Sequence, residues 1–168
     1  MDKTRILSLP PVLPEKPRVL ILGSIPGVQS LTKQQYYGNP RNHFWTIMSA
    51  IFNDQLPENY ETRLNWIKEK QIALWDTIGS CTRPGSLDSN IRDEQPNAIP
   101  ELIEQYPTIE RILCNGGKSW SVFQKHFGKS LGSIIEVRKL PSTSPVPGRY
   151  TKTLEEKIII WKDAVLES

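Results

Sequence analysis

Short apolar runs alternate along this chain with longer stretches in which apolar residues recur every three or four positions, the pattern of strands alternating with helices. Val19 to Leu22 is an apolar run between Arg18 and Gly23. It reads as a parallel strand covered on both faces. Ile72-Ala73-Leu74-Trp75, Ile109 to Cys114 and Ile134 to Leu140 give three more strands of the same kind. Between them, Phe44, Trp45, Ile47, Met48, Ile51 and Phe52 fit one face of a helix of about ten residues, and Asn42 suits its N-cap. Glu58 to Lys70, Pro100 to Tyr106, Lys118 to Phe127 and Leu154 to Leu166 carry the helical period. Prolines 10, 11, 14 and 17 keep residues 1–17 extended as a surface lead with little chemistry. The alternation predicts an α/β fold: a three-layer α/β/α sandwich around a mainly parallel four-stranded sheet with right-handed crossovers. Residues 1–168 are expected to form one domain.

In a parallel sheet every carboxyl end points the same way, so loops that follow strands gather at one edge. Here those loops are Gly23 to Gly27, Asp76 to Asp88, Asn115 to Lys118 and Pro141 to Arg149, all rich in Gly, Ser, Pro, Asn or Asp. They converge on one crevice, which is where a ligand site is expected. Periodicity alone leaves its substrate open.

Composition narrows the class. No apolar run approaches membrane-spanning length, and MDKTRILSLP lacks the apolar stretch of a secretory signal, so a cytoplasmic, intracellular protein without membrane contact is expected. Cys81 and Cys114 are far apart and read as small, reduced, buried side chains. No ligand cluster is present for a metal or an iron-sulfur centre, and neither a metal nor an organic cofactor is expected. The net charge of +3 permits phosphate contacts without arguing for nucleic acid on its own. Walker, nucleophile-elbow and dinucleotide fingerprints are all missing, which leaves a small-molecule hydrolase or a flavodoxin-like domain little support.

The chemistry concentrates between Tyr36 and Trp45. This stretch, YYGNPRNHFW, holds aromatics, amides, a guanidinium and an imidazole. An amide such as Asn39 can hold a water through its oxygen and meet a sugar or base through its nitrogen. Beside Gly38 and Pro40, an Asn that only closes a turn is the ordinary reading. Phe44 and Trp45 read as core residues, and His43 as a surface residue at a helix start. Asp76 ends the second strand; its carboxylate either accepts a ring N–H from a ligand or serves as an N-cap or ion-pair partner for Arg83.

The motifs together resemble a known family. GSIPG after the first strand, then QQYYGNPRNHFW, LWDTIGSCTRPGSLDS and LPSTSP, in this order, are similar to the hypoxanthine-DNA glycosylase (deoxyinosine glycosylase) family within the uracil-DNA glycosylase superfamily, near its mismatch-specific branch. The resemblance runs from Val19 to Thr151. It implies that fold, a DNA-repair function and a monofunctional glycosylase that flips out a deaminated base, hypoxanthine above all, and hydrolyses the N-glycosidic bond to leave an abasic site. It implies Asn39 as the catalytic amide and Tyr37 as the aromatic that stacks on the extruded base. Gly23, Ser24 and Ile25 belong to the base-binding loop, with Asp76 where uracil-cleaving relatives carry an Asn that reads the base edge. A carboxylate there suits N1–H of hypoxanthine and repels the adenine N1 lone pair. Lys118, Ser142, Thr143, Ser144 and Arg149 are then the DNA contacts, and Val146 to Tyr150 is placed as a minor-groove wedge.

Two positions depart from the superfamily pattern. Ile25 stands where better-known branches have a water-positioning Asp or Asn, and Leu140 stands where a His or Asn often precedes Pro-Ser. Neither can activate water or stabilise a leaving base. Catalysis is then expected to rest on Asn39, backbone N–H groups and strain in the flipped nucleotide. The alternatives are a uracil or G:T/U mismatch-specific glycosylase, or a noncatalytic DNA-binding module of the same fold. The expected partner is double-stranded DNA with a damaged base, with single strands as a further substrate, and the expected state is a monomer.

Overall fold

The computed structural model describes residues 5–85, 87–145 and 152–167. Its strands are β1 (Ile6–Leu7), β2 (Val19–Gly23), β3 (Ile72–Asp76), β4 (Ile78–Thr82), β5 (Arg92–Pro96), β6 (Arg111–Asn115) and β7 (Glu136–Leu140). The helices are α1 (Val28–Lys33), α2 (Phe44–Phe52), α3 (Tyr60–Glu69), α4 (Ile99–Gln105), α5 (Gly117–Leu131) and α6 (Leu154–Leu166).

β3, β2, β6 and β7 form a parallel sheet in that order. Residues of β2 alternate between two cores, as a strand covered on both faces requires. Val19 and Ile21 pack with Phe44, Ile47, Met48, Ile67 and Trp161 from α2, α3 and α6. Leu20 and Leu22 pack with Ile99, Leu102, Phe123 and Leu131 from α4 and α5. The result is the expected α/β/α sandwich.

A second, three-stranded sheet, β1-β4-β5, is antiparallel. The hydropathy pattern hides it. β4 reads IGSCT and β5 reads RDEQP, with neither alternation nor an apolar run, and the proline of β5 sits on an edge strand where a missing N–H is tolerated. The expectation that residues 1–17 are a mere surface lead is corrected by the same sheet. Ile6 pairs with Cys81, Leu9 and Val12 are buried, and Val12 bridges Leu74 of β3. α1 also went unforeseen, a short helix inside the motif loop.

The starts of α3 and α6 follow ordinary capping chemistry. Asn59 caps α3 through Glu61 and Thr62, and Thr153 with Glu156 forms a capping box on α6. At α2 the N-cap position is His43, but Asn42 Oδ1 accepts the Phe44 N–H at 2.9 Å, so the expected side chain does the capping from one residue earlier.

Candidate active site

Gly23, Asp76, Asn115 and Leu140 end the four parallel strands, and the register sets Gly23 beside Asp76 and Asn115 beside Leu140. The loops beyond them enclose a cleft of roughly 590 Å³. That volume suits a small ligand or an extruded base. Gly23, Ser24, Ile25, Tyr37, Asn39, Asp76, Ser142, Thr143 and Ser144 all line it. Lys118 does not; it stands half-buried in the first turn of α5, where its charge acts on Asp88 and Glu94. Arg149 and the wedge at 146–150 lie outside the described residues.

Asp76 is the most unusual group in the cleft. It is 4% exposed, and among the described residues its Oδ2 has no hydrogen-bond partner. An unmatched buried oxygen of this kind costs about 1–3 kcal/mol or more. Burial, then the charge of Asp88, lifts its pKa to about 7, while Arg83 pulls the other way. Arg83 acts only through space: its guanidinium donates to the carbonyls of Gly85 and Pro26, both at 2.8 Å. Gly23 makes the room, because a Cβ there would stand 2.6 Å from Asp76 Oδ1. Above it, Ser24 Oγ donates to Asp88 Oδ1 at 2.9 Å, joining the first loop to the rim. Asp88 is itself pushed up by burial, against the bond from Ser24 and the charges of Arg83 and Lys118.

Tyr37 forms an adjoining wall. Its backbone is left-handed, with φ of 53°, and its ring stacks on buried Phe44 at a centroid distance of 4.0 Å and 23° between planes. The Asn115 amide approaches its hydroxyl at 3.4 Å, and burial, with Asp76 adding, keeps the phenol protonated far into alkali. Tyr36 turns away from this role. It is 5% exposed and its hydroxyl reaches the carbonyls of Leu9 and Pro10 at 3.1 and 2.8 Å.

Asn39 lines the cleft from the loop before α2. Its Oδ1 accepts the Arg41 N–H at 2.9 Å, an Asx turn, and its backbone carbonyl accepts from Asn42. Among the described residues its amide nitrogen has no protein partner. The loop carrying it is pinned from several sides: Gly38 N–H donates to Ser30 Oγ at 2.9 Å, Lys33 donates to the Gly38 carbonyl at 2.8 Å, and Tyr36 N–H donates to Tyr60 at 2.9 Å. Such pinning holds the amide in place before a ligand arrives.

Both departures from the superfamily pattern are core residues. Ile25 packs with Ile78, Cys81, Ile91 and Val122, and Leu140 is buried in the core under α2 and α6. Thr143, expected as a DNA contact, is 1% exposed and bonded reciprocally to Asn115: its N–H donates to Oδ1 and its Oγ1 accepts from Nδ2, both at 3.0 Å. It fixes the loop instead of projecting from it. Ser142 and Ser144 remain at the surface side of the cleft, the Ser144 N–H donating to Ser142 Oγ at 3.0 Å. Asn115 is the residue that sequence reasoning undervalued. In the sequence it reads only as the first residue of the loop from Asn115 to Lys118, yet it joins Tyr37 to the loop after β7. A polar residue ending an otherwise apolar strand was the available signal.

The sequence model of the uracil DNA glycosylase superfamily matches residues 10–165. A Methanosarcina acetivorans protein named hypoxanthine DNA glycosylase is 37% identical over 149 residues, covering 88% of this chain and 92% of its own. One of the same name from Methanosarcina barkeri is 41% identical over 111 residues, covering 66% of this chain and 70% of its own. The solution NMR structure of a candidate uracil DNA glycosylase from Methanosarcina acetivorans superposes with a TM-score of 0.81 at 34% identity, covering 96% of this chain and 97% of that one. The matched span runs from the proline-rich lead into the last helix and contains every cleft residue named above. The chain belongs to the uracil DNA glycosylase superfamily.

Proposed function

We propose that this protein is a monofunctional DNA glycosylase that excises hypoxanthine, acting as a monomer on duplex DNA and also on single strands. The observation that carries the reading is the buried Asp76 carboxyl with an unmatched oxygen at the end of a base-sized cleft. Hypoxanthine offers the donor that oxygen lacks, its N1–H, whereas adenine presents a lone pair at the same place. The names of the two Methanosarcina relatives support the same base.

The remaining residues divide the work of base release. Tyr37, one ring face held by Phe44, offers the other to the extruded base, a contact of about 1–3 kcal/mol. Asn39 holds the attacking water through the free lone pair of Oδ1 and steadies it or the sugar through Nδ2. Gly23 and the Ser24–Ile25 backbone close over the base. Ser142, Ser144 and Lys118 meet phosphates, and Thr143 holds their loop through Asn115. With Ile25 and Leu140 in the core, transition-state charge is met by backbone dipoles and the Asn39 amide.

The test is direct. Duplexes carrying hypoxanthine, uracil, xanthine or a G:T mismatch are incubated with the protein, and abasic sites are revealed by alkaline cleavage. Fastest release from the hypoxanthine duplex is expected. Release of uracil or thymine in preference would move the assignment to the mismatch-specific branch. Apolar, buried side chains at Ile25 and Leu140 favour one other reading, a noncatalytic DNA-binding module, and DNA bound but left intact in all four reactions would establish it.

A further inference from the structure

A second hollow, of roughly 420 Å³, adjoins the cleft and shares Ser144 and Pro145 with it as a common wall. Its other polar lining is basic: Arg41, His43, Lys152 and Lys157. Lys157 is the unusual member. It is 3% exposed, yet among the described residues it forms no ion pair, and its Nζ lies 3.5 Å from His43 Nδ1. A buried ammonium is ordinarily matched by an anion. The nearest acidic residues in the chain do not supply one: Glu156 is engaged in the Thr153 cap and Glu155 is exposed. Lys157 and His43 are instead pushed toward neutrality, by burial at both and by the Lys157 charge at His43. His43 also marks the amino end of α2, where the helix dipole favours negative charge.

We propose that this hollow binds a phosphodiester of the DNA strand whose nucleotide occupies the neighbouring cleft, with Lys157 and His43 as its inner ligands and Arg41 and Lys152 at its rim. The inference rests on the reading of the cleft as a nucleotide site. Chain order supports the pairing. Asn39 lines the cleft, and Pro40 and Arg41, next in sequence, line the hollow. A strand crossing Pro40 places its base on one side and its phosphate on the other. The phosphate supplies the negative charge that Lys157 lacks and raises the proton affinity of His43.

The experiment uses a duplex with a tetrahydrofuran abasic-site analogue, which binds without a base to be removed. Affinity is measured by fluorescence anisotropy across a salt series for wild type, Lys157→Met and, as a control for general charge loss, the exposed Lys129→Gln. Lys157→Met is expected to bind about tenfold more weakly, with the slope of log K against log salt reduced by about 1. Lys129→Gln should stay near wild type. In parallel, the chain has only two histidines, so the wild-type imidazole signals in the NMR spectrum are read with His126 as internal reference. Adding the duplex should raise the pKa of His43. Wild-type-like binding and slope for Lys157→Met, or an unmoved His43 signal in saturated complex, overturns the proposal. If Lys157→Met does not fold, the His43 titration decides alone. Failure of the glycosylase reading looks different: the analogue duplex is bound through Lys157 while no base is released from any substrate.

Discussion

Gly23 and Asp76, paired across β2 and β3, share one space: a methyl group on the first would stand 2.6 Å from Oδ1 of the second. The Asp76 carboxyl, which we propose reads the base, therefore depends on a missing side chain in the neighbouring strand.

Gly23→Ala is accordingly expected to displace the Asp76 carboxyl, costing about 1–3 kcal/mol of stability as an overpacked site does and lowering hypoxanthine release by about tenfold or more. The two positions should be coupled. In an Asp76→Ala background the same substitution should cost little further, and additive losses in the double-mutant cycle would show that the contact does not matter.

Stability should depend on pH through Asp76. Its folded pKa of about 7 lies above the ordinary 3.8. The folded state thus holds a proton that the unfolded state has lost between about pH 4 and 7, and wild-type stability falls as pH rises through that window. Asp76→Asn removes this slope. The variant should melt higher than wild type at about pH 8, by about 2–4 °C for each kcal/mol, and the two curves should converge near pH 4. Parallel curves would mean that Asp76 titrates normally.

The same substitution should change which base leaves. An amide can donate to a base carbonyl as well as accept, so Asp76→Asn is expected to gain uracil excision while losing hypoxanthine excision. Wild-type hypoxanthine release should rise with pH through about 7 as the carboxylate forms, and the variant should lose this step. Single-turnover rates on paired substrates measure both. An unchanged ratio between bases removes Asp76 from the recognition site, and a wild-type rate that falls through pH 7 assigns recognition to the protonated acid.

Asn39→Ala should lower base release by about 100-fold or more. It should cost only about 0.5–1.5 kcal/mol of stability, the value of the turn bond to Arg41. Asn39→Asp keeps an acceptor for that bond and for the water, and should retain more activity than the alanine variant. Wild-type cleavage by Asn39→Ala would make Asp76 the leading candidate for the catalytic group.

What was legible in the sequence followed from burial. Val19 to Leu22 and Ile72 to Trp75 are apolar because helices cover both faces, so the parallel sheet and the edge where its loops gather could be read from hydropathy. β4 and β5 could not, because an edge sheet of IGSCT and RDEQP buries little and carries no period. Within the cleft, Asp76 and Asn39 were visible as residue types at strand ends and in a motif loop. Which way each side chain turns was not. Thr143 and Ser144 look alike as a polar pair, and only packing distinguishes the one locked to Asn115 from its neighbour. Lys157 was hidden for the converse reason: a lysine in an amphipathic helix reads as solvated, and its burial is a tertiary fact.

The reciprocal bonds between Asn115 and Thr143, with Asn115 reaching on to Tyr37, tie two loops to the end of β6 as one frame. A receptacle braced in this way is finished before DNA arrives, so the work of opening falls on the duplex. The grip of the opposite base is then expected to set the pace of repair. Duplexes identical but for the partner of hypoxanthine should be processed in order of how easily each pair breathes, the loosest first. For such an enzyme the choice of lesion is made partly by the double helix itself, which surrenders some damaged bases more readily than others.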